Sequence, residues 1–362
     1  MVPGTFFVYT QTMAMFDVSK DWVILLPPDL IEAKKAAGDL ARYIGLLKRE
    51  PKKQPLIVDA SGPVPPEASA IIVLNSEGSG PQQNGFTWRA GPERVEIYGE
   101  SGRGLCNGIY SFLASLGISW PAVGQEKLPV MSAYPREFPL SGSGVYEPSN
   151  YTGSSLVQAP WRRFILPGKK SAKKMLRKSE AFAAWAARQR YDALVFPLET
   201  FALSNTGQKL AELKKFAGEY GINIEAGGHD LSSLLPRRYF FLHRDFFRME
   251  GGRRKKAHHF CPTNPGTIRL IGKVGEKLFR AAGDTQVFHL WPDKEAPQTW
   301  CSCPTCRAFS PPEQNRIGVN AAADVLAALN PAASITYLEK SDESINLPLK
   351  QNLFRLENLP GE

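Results

Sequence analysis

Short apolar segments alternate with amphipathic helical segments through the second half of this chain of 362 residues. The predicted helices cover 181–190, 208–220, 264–281 and 317–329. The predicted strands cover 192–197, 222–225, 286–291 and 334–338. Alternation of this kind is typical of a parallel sheet whose strands are connected by helices. The pattern therefore predicts an α/β domain that includes a (β/α)-type parallel sheet.

The first third of the chain predicts a separate, smaller α/β domain. Apolar strand patterns at 22–26, 56–58 and 70–74, a helix at 30–47 and a hairpin at 86–98 make up most of it. A glycine-bearing turn from Gly99 then opens a helix that closes at Gly117. These glycines could cradle a phosphate, but we favour tight strand-to-helix packing, because no acidic ribose partner is placed as a dinucleotide site needs. The predicted domains are 20–135, a linker at 136–150, and 151–362.

The charge of the chain excludes little by itself. Lys and Arg number 44 against 35 Asp and Glu, a net charge of +9, and the basic residues are scattered apart from runs at 169–178 and 253–256. Because no nucleic-acid recognition motif accompanies these runs, we interpret them as solvated faces and expect no nucleic-acid partner. An acidic sugar would also suit the charge. The oligomeric state is left open.

The sequence contains no apolar stretch long enough to span a bilayer. Its N-terminus lacks the basic segment and the small-residue cleavage site of a signal peptide. We therefore expect a cytoplasmic location if the chain is complete as given, and an extracytoplasmic one if a signal peptide has been removed.

Acidic or imidazole side chains follow the predicted strands of the second domain. They are Glu199, His229, Asp230, Asp293, Glu295 and Glu339. Side chains at the carboxyl ends of barrel strands converge on one mouth. Each residue alone is typical of a solvated loop, but as a set they predict a polar substrate pocket.

Four of the five cysteines lie between residues 261 and 306. Cys261, Cys301, Cys303 and Cys306 could close a tetrahedral all-thiolate site, which Zn²⁺ favours in a structural role. The spacing differs from the usual pair of Cys-x-x-Cys motifs, so one disulfide or plain reduced thiols stay as alternatives.

The segments VEIYGESGRGLCNGIYSFLASLGISWPAVG and AAGDLARYI resemble the small α/β domain that precedes the barrel in family 20 hexosaminidases and family 67 α-glucuronidases. In those families this domain is a scaffold without catalytic residues. The segments GGHDLSSLLPRRYFFLHRDFFRMEGGRR, HHFCPTNP and HLWPDKEAPQTWCSCPTCRAF resemble an uncharacterised bacterial family of α-glucuronidase-like proteins, over about 150–340. The resemblance implies a TIM-type barrel with a family 20/67 glycosidase-type N-terminal domain.

The resemblance also implies roles for the residues at the mouth. Glycoside hydrolysis needs one protonated and one ionised carboxyl group across the scissile bond. Asp293 is the first choice for the general acid, because it follows the strand whose counterpart carries the acid in related barrel glycosidases. Glu295 is its alternate, and Glu339 is the leading second carboxylate.

The remaining mouth residues are assigned to the sugar. His229 and Asp230 would hold its hydroxyl groups, and Glu199 belongs to the same substrate-binding set. Trp291 and Trp300 could stack on a sugar ring, although each is as readily explained as core packing.

The expected partner is therefore an oligosaccharide or glycan, and no organic cofactor is expected. We count only five or six strands where a complete barrel has eight, so the predicted barrel is incomplete. The sequence predicts a glycoside hydrolase of α-glucuronidase or hexosaminidase type. The alternative is a non-catalytic glycan-binding or scaffold protein with a zinc-stabilised, degenerate barrel.

Overall fold

The computed structural model describes residues 14–76, 85–129, 137–140, 143–146, 163–166, 168–204, 206–294, 299–339 and 347–356. The chain divides into two compact units. The first consists of Met1–Glu147, Ala187–Arg190 and Glu219–Gly221, and the second of Pro148–Ala186, Tyr191–Gly218 and Ile222–Glu362.

The first unit is a mixed sheet with two long helices. Its elements are β1 (Ala14–Asp17), β2 (Trp22–Leu26), α1 (Lys34–Leu47), β3 (Leu56–Asp59), β4 (Ala70–Ser76), β5 (Phe86–Ala90), β6 (Arg94–Gly99), α2 (Gly102–Ser115), β7 (Glu137–Leu140) and β8 (Ser143–Tyr146). The main sheet has the order β3-β2-β4-β6-β5-β8, and β1 pairs with β7. β2 is buried along its whole length, which explains why it reads as a continuous apolar run.

The glycine turn before α2 is a packing device. A Cβ on Gly99 would lie 2.1 Å from the backbone nitrogen of Leu105, so strand and helix approach too closely for any side chain. Ser101 caps α2 by accepting a hydrogen bond from the Gly104 N–H at 3.0 Å. A Cβ on Gly102 would meet a carboxylate oxygen of Glu32 at 2.2 Å, and an acidic side chain at this helix start disfavours a bound phosphate. The geometry supports the packing interpretation.

The second unit contains a parallel sheet whose strands are joined by helices. Its elements are β9 (Arg163–Ile165), α3 (Lys169–Leu176), α4 (Ser179–Arg188), β10 (Ala193–Phe196), α5 (Leu198–Phe201), α6 (Gly207–Gly218), β11 (Asn223–Gly228), β12 (Met249–Glu250), β13 (Arg253–Arg254), α7 (Pro265–Ala282), β14 (Val287–Leu290), α8 (Pro311–Leu329), β15 (Ser334–Leu338) and β16 (Leu353–Leu356). Among the described residues, no helix has the length and apolar character needed to cross a membrane.

The strand order identifies the kind of parallel sheet. The six strands lie in the order β9-β10-β11-β14-β15-β16, so each strand pairs with the next main strand along the chain. Every adjacent pair is parallel. A doubly wound sheet reverses its strand order, whereas a (β/α) barrel adds strands in sequence. The prediction of an α/β protein with a TIM-type sheet of five or six strands is confirmed for the described residues.

Helix α8 begins earlier than the sequence analysis predicted. It starts at Pro311 rather than at residue 317, because Ser310 and Glu313 form a reciprocal capping box with proline in the first turn. The side chain of Gln314, in this added turn, is buried. The extra turn therefore brings a polar side chain to the loop that follows β14.

Candidate active site

Three of the predicted acidic residues follow neighbouring strands at the carboxyl-terminal edge of the parallel sheet. Glu199 follows β10, Asp230 follows β11 and Asp293 follows β14. The charge of Glu199 raises the pKa of Asp230, and the charges of Asp293 and Glu199 both act on the pKa of Arg237. We call Glu199, Asp230 and Asp293 the acidic mouth.

Asp230 has surroundings that favour its neutral form. Burial raises the pKa of its carboxyl group to about 6, and the charge of Glu199 adds to the effect. A hydrogen bond at 2.7 Å from the Leu198 N–H to Oδ2 acts in the opposite direction without reversing the shift. A carboxyl group with this pKa holds a proton over part of the neutral range, as a general acid requires.

Asp293 contacts a histidine that the sequence analysis did not single out. Its Oδ2 lies 3.3 Å from Nδ1 of His258, and the two side chains keep 18% and 27% of their surface exposed. His258 has a left-handed backbone with φ of 62°. Arg237 holds this turn by donating hydrogen bonds to the carbonyl oxygens of His258 and Lys256. The Asp293–His258 pair is therefore both positioned and accessible.

His229 connects two loops of the mouth. Its Nδ1 lies 2.5 Å from the carbonyl oxygen of Pro292. A carbonyl oxygen only accepts hydrogen bonds, so Nδ1 carries the proton and Nε2 of a neutral ring is an acceptor. This tautomer suits Nε2 to accept a hydrogen bond from a sugar hydroxyl.

Glu199 forms an ion pair with Lys169, and both side chains are partly exposed. Lys169 belongs to the basic run that the sequence analysis interpreted as a solvated face. The side chain of Lys169 is 46% exposed, in agreement with that interpretation, and its ammonium group also contacts Glu199 of the acidic mouth. The mouth thus carries a cation on the side of β10.

The structure gives no support to two other predicted catalytic residues, Glu339 and Glu295, for different reasons. Glu339 forms a bidentate ion pair with Arg316, at 2.5 Å and 3.2 Å, and its side chain is only 1% exposed. Both carboxylate oxygens are engaged by a buried cation, so the geometry gives no support to Glu339 as the second catalytic carboxylate. Glu295 lies outside the described residues.

Neither predicted stacking tryptophan offers an open face. Trp291 is completely buried and donates its indole N–H to Oγ1 of Thr336 at 3.1 Å. Trp300 lies parallel to the ring of His259, with centroids 4.2 Å apart, and packs edge-on against Phe260. Both rings contribute to packing, so the prediction that they stack on a sugar is not supported by their positions.

A buried polar network crosses the interior of the sheet, and the sequence analysis missed it. The Nε of Arg163 on β9 donates to Oε2 of Glu225 on β11 at 2.6 Å. His289 on β14 places Nε2 2.7 Å from the same oxygen and Nδ1 2.6 Å from Oγ1 of Thr336 on β15. One polar residue within each of several apolar strands was the signal that could have revealed it.

The network has a definite proton arrangement. Burial alone would raise the pKa of Glu225, but the charge of Arg163 and the hydrogen bonds from Arg163 and His289 outweigh it and lower that pKa to about 2. Burial lowers the pKa of His289, and Glu225 offsets this only in part. A neutral His289 then donates from Nε2 to Glu225 and accepts from Thr336. The network fixes side chains of four strands beneath the acidic mouth.

The four predicted metal-binding cysteines form one compact cluster. The sulfur atoms of Cys261, Cys301, Cys303 and Cys306 all lie within 4.8 Å of one another. All four residues are buried, and none is in a disulfide. The alternative of one disulfide is therefore not what the structure shows. The cluster is compatible with a metal site.

Comparison with solved structures finds barrel glycosidases. The family 20 exo-β-N-acetylglucosaminidase from Vibrio harveyi aligns over 94% of this chain and 54% of its own, with a TM-score of 0.51 and 12% identity. The family 20 chitobiase from Flavobacterium johnsoniae aligns over 90% of this chain and 50% of its own, with a TM-score of 0.51 and 13% identity. No protein-family model and no curated protein matches the chain.

These similarities support the glycosidase-type fold expected from the sequence. Sequence identities of 12% and 13% support a similarity of fold and nothing more specific. The chain spans about half the length of the solved structures it matches. The finer resemblance to α-glucuronidase-like proteins stays a prediction.

Proposed function

We propose that this chain is a carbohydrate-active protein of the glycoside hydrolase class, acting through the acidic mouth. The observation that carries the proposal is the pair formed by Asp230 and Asp293. They follow the hydrogen-bonded neighbours β11 and β14, and their surroundings differ. Two carboxyl groups in contrasting environments are what glycoside hydrolysis requires.

The surroundings of the two aspartates suggest how the roles divide. Asp230, whose pKa is raised to about 6 by burial, suits the proton donor. Asp293 lies beside His258, and its charge acts on the pKa of Arg237. It therefore suits the role of the ionised carboxylate. This division reverses the sequence prediction, in which Asp293 is the general acid.

The proposed substrate is an oligosaccharide or glycan, with α-glucuronides and N-acetylhexosaminides as the classes to test. Nε2 of His229 and the carboxylate of Glu199 would bind sugar hydroxyl groups.

The second candidate function is glycan binding without turnover. The observation that favours it is the bidentate Glu339–Arg316 ion pair. Glu339 was expected to be the second catalytic carboxylate, and this pair engages both of its oxygens. Binding by the remaining polar groups would not require two reactive carboxyl groups.

The test is turnover of aryl α-glucuronides and aryl N-acetylhexosaminides by the full chain. Asp293→Asn and Asp230→Asn are each expected to lower kcat by about 100-fold or more, since acid–base groups contribute at that level. Asp284→Asn is the matched control, because Asp284 is exposed and precedes β14 at the opposite end of that strand.

The pH dependence of kcat/KM assigns the roles. If Asp230 is the acid, activity declines as the pH rises through about 6, and Asp230→Asn removes this decline. Glycan binding without turnover of any substrate would support the second candidate. Equal activity of all three variants and the parent would contradict a reaction at the acidic mouth.

The cysteine cluster has no part in this chemistry. All four cysteines are buried and their sulfur atoms lie close to one another, so a metal ion held by them has no open coordination position for substrate. A metal bound there would have a structural role, and the ion proposed is Zn²⁺.

A further inference from the structure

The cysteine cluster has the dimensions of a mononuclear thiolate site. Sγ of Cys261 lies 3.7 Å from that of Cys303 and 3.6 Å from that of Cys306. Four sulfur atoms placed about 2.3 Å from one ion at tetrahedral angles are about 3.8 Å apart. A disulfide would bring two sulfurs to about 2.05 Å. The observed spacing matches the metal site.

The type of ion follows from the donors and the space. Four thiolates in a tetrahedral arrangement select Zn²⁺ or iron among the common ions. A cluster of several irons and sulfides needs its cysteines at the corners of a larger polyhedron than the 4.8 Å limit found here. We propose that Cys261, Cys301, Cys303 and Cys306 bind one structural zinc ion, and that this ion holds together the loops that follow β11 and β14.

Neighbouring groups stabilise thiolates rather than thiols. The backbone N–H of Met249 donates to Sγ of Cys301 at 3.2 Å, and the guanidinium of Arg254 lies 3.8 Å from the same sulfur. The hydroxyl of Thr263 lies 3.0 Å from Sγ of Cys306. Four thiolates with one Zn²⁺ carry a charge of about −2, which Arg254 partly neutralises. These are the donors that a buried tetrathiolate site needs.

The ion would join segments that are far apart in the sequence. Cys261 belongs to the loop after β11, whereas the other three cysteines belong to the loop after β14. The side chain of Gln314 on α8 braces the second loop, accepting from the Cys301 N–H at 3.0 Å and donating to the carbonyl of Cys306 at 3.2 Å. A single ion would therefore join the two loops, and Gln314 attaches the second loop to α8.

The proposed zinc site lies close in sequence to residues of the acidic mouth. His258, the partner of Asp293, is three positions before Cys261. His259 stacks on Trp300, which directly precedes Cys301. Loss of the ion would loosen the segments that carry His259 and Trp300. Because His258 directly precedes His259, its position is expected to depend partly on the zinc site. The metal site itself stands whether or not the mouth is catalytic.

The experiment measures metal in the full chain purified under reducing conditions. Elemental analysis is expected to give about one zinc per chain. Cys303→Ser is expected to lose most of it, whereas Cys106→Ser, the matched control, keeps it, because Cys106 is buried in the first unit and does not belong to the four-cysteine group. Replacement by Co²⁺ is expected to give the intense thiolate-to-cobalt absorption of a tetrahedral site.

A second measurement covers the case in which Cys303→Ser does not fold. Titration of the parent protein with a mercurial reagent is expected to release zinc in step with modification of four thiols, read with a metallochromic dye. Zinc well below one equivalent after growth with added zinc, or iron in its place, would overturn the proposal. Zinc retained by folded Cys303→Ser would overturn it as well.

Discussion

Asp230 shows how the surroundings of one side chain decide its chemistry. It lies in a polar loop of the sequence, yet burial and the charge of Glu199 raise its pKa to about 6. The ordinary value is 3.8, so the folded protein favours the protonated form. The same shift that suits a general acid must therefore reduce the stability of the protein at neutral and higher pH.

Asp230→Asn is expected to stabilise the protein, and more so at high pH. A raised carboxyl pKa contributes stability below the unfolded pKa, and that contribution is lost as the pH rises through the folded pKa. The variant should exceed the parent by at most about 3 kcal/mol at pH 8 and by about half as much at pH 5. Urea unfolding at both pH values measures this. A difference independent of pH, or an equal effect of Asp284→Asn, would contradict the raised pKa of Asp230.

At the scale of strands and helices, the polar network connects four strands of the sheet. Arg163, Glu225, His289 and Thr336 come from β9, β11, β14 and β15, and their contacts cross the sheet interior. Arg163 and Glu225 form an ion pair at 2.6 Å, and the charge of Arg163 helps to lower the pKa of Glu225 to about 2, which favours the ionised carboxylate at ordinary pH. The strand ends below the mouth are thus fixed by charge as well as by apolar packing.

Glu225→Gln is expected to lower the free energy of unfolding by about 3–5 kcal/mol, because it leaves Arg163 buried without its counter-charge. Glu276→Gln is the matched control, since Glu276 forms an exposed pair with Arg280 on α7 and should cost under about 0.5 kcal/mol. Equal effects in urea unfolding would show that the network adds no more than a surface pair.

The strands illustrate what the sequence could and could not predict. Apolar runs of five or six residues placed β10, β14 and β15, because burial on both faces leaves that pattern. β11, Asn223–Gly228, extends three residues beyond the predicted 222–225, because its second half is alanine and glycine, which give no strand signal. β9, Arg163–Ile165, has three residues and carries an arginine, so periodicity had nothing to detect. The start of α8 depended on a capping box that includes a proline, which the helical period does not reveal.

The candidate site was predictable to a similar extent. The sequence could place Glu199, Asp230 and Asp293 after neighbouring strands, because parallel strands share one carboxyl edge. His258 was missed, since a residue in a left-handed turn gives no periodic signal. Glu339 and the two tryptophans were assigned to substrate because a sequence does not show which side chains a neighbour such as Arg316 or His259 already engages.

At the scale of the whole molecule, the proposed zinc site and the polar network stabilise different parts of the second unit. The network holds the strands, and the four cysteines hold the loops that follow β11 and β14. Because the ion binds only the folded site, its removal is expected to lower the local stability of the two loops while the sheet stays folded. The first unit contains none of the four cysteines, so it provides an internal reference.

Hydrogen exchange followed by mass spectrometry distinguishes this local effect from general destabilisation. After zinc is removed with a chelator under reducing conditions, exchange is expected to rise about tenfold or more in 244–263 and 299–310, a loss of about 1.4 kcal/mol in local opening free energy. Peptides of α1 and α2 should be unchanged. Since the segment 244–263 includes His258, its loosening would also predict weaker substrate binding by the metal-free protein. A rise spread evenly over both units would instead mean that the metal stabilises the whole chain, and no change in the two loops would mean that the cysteines do not clasp them.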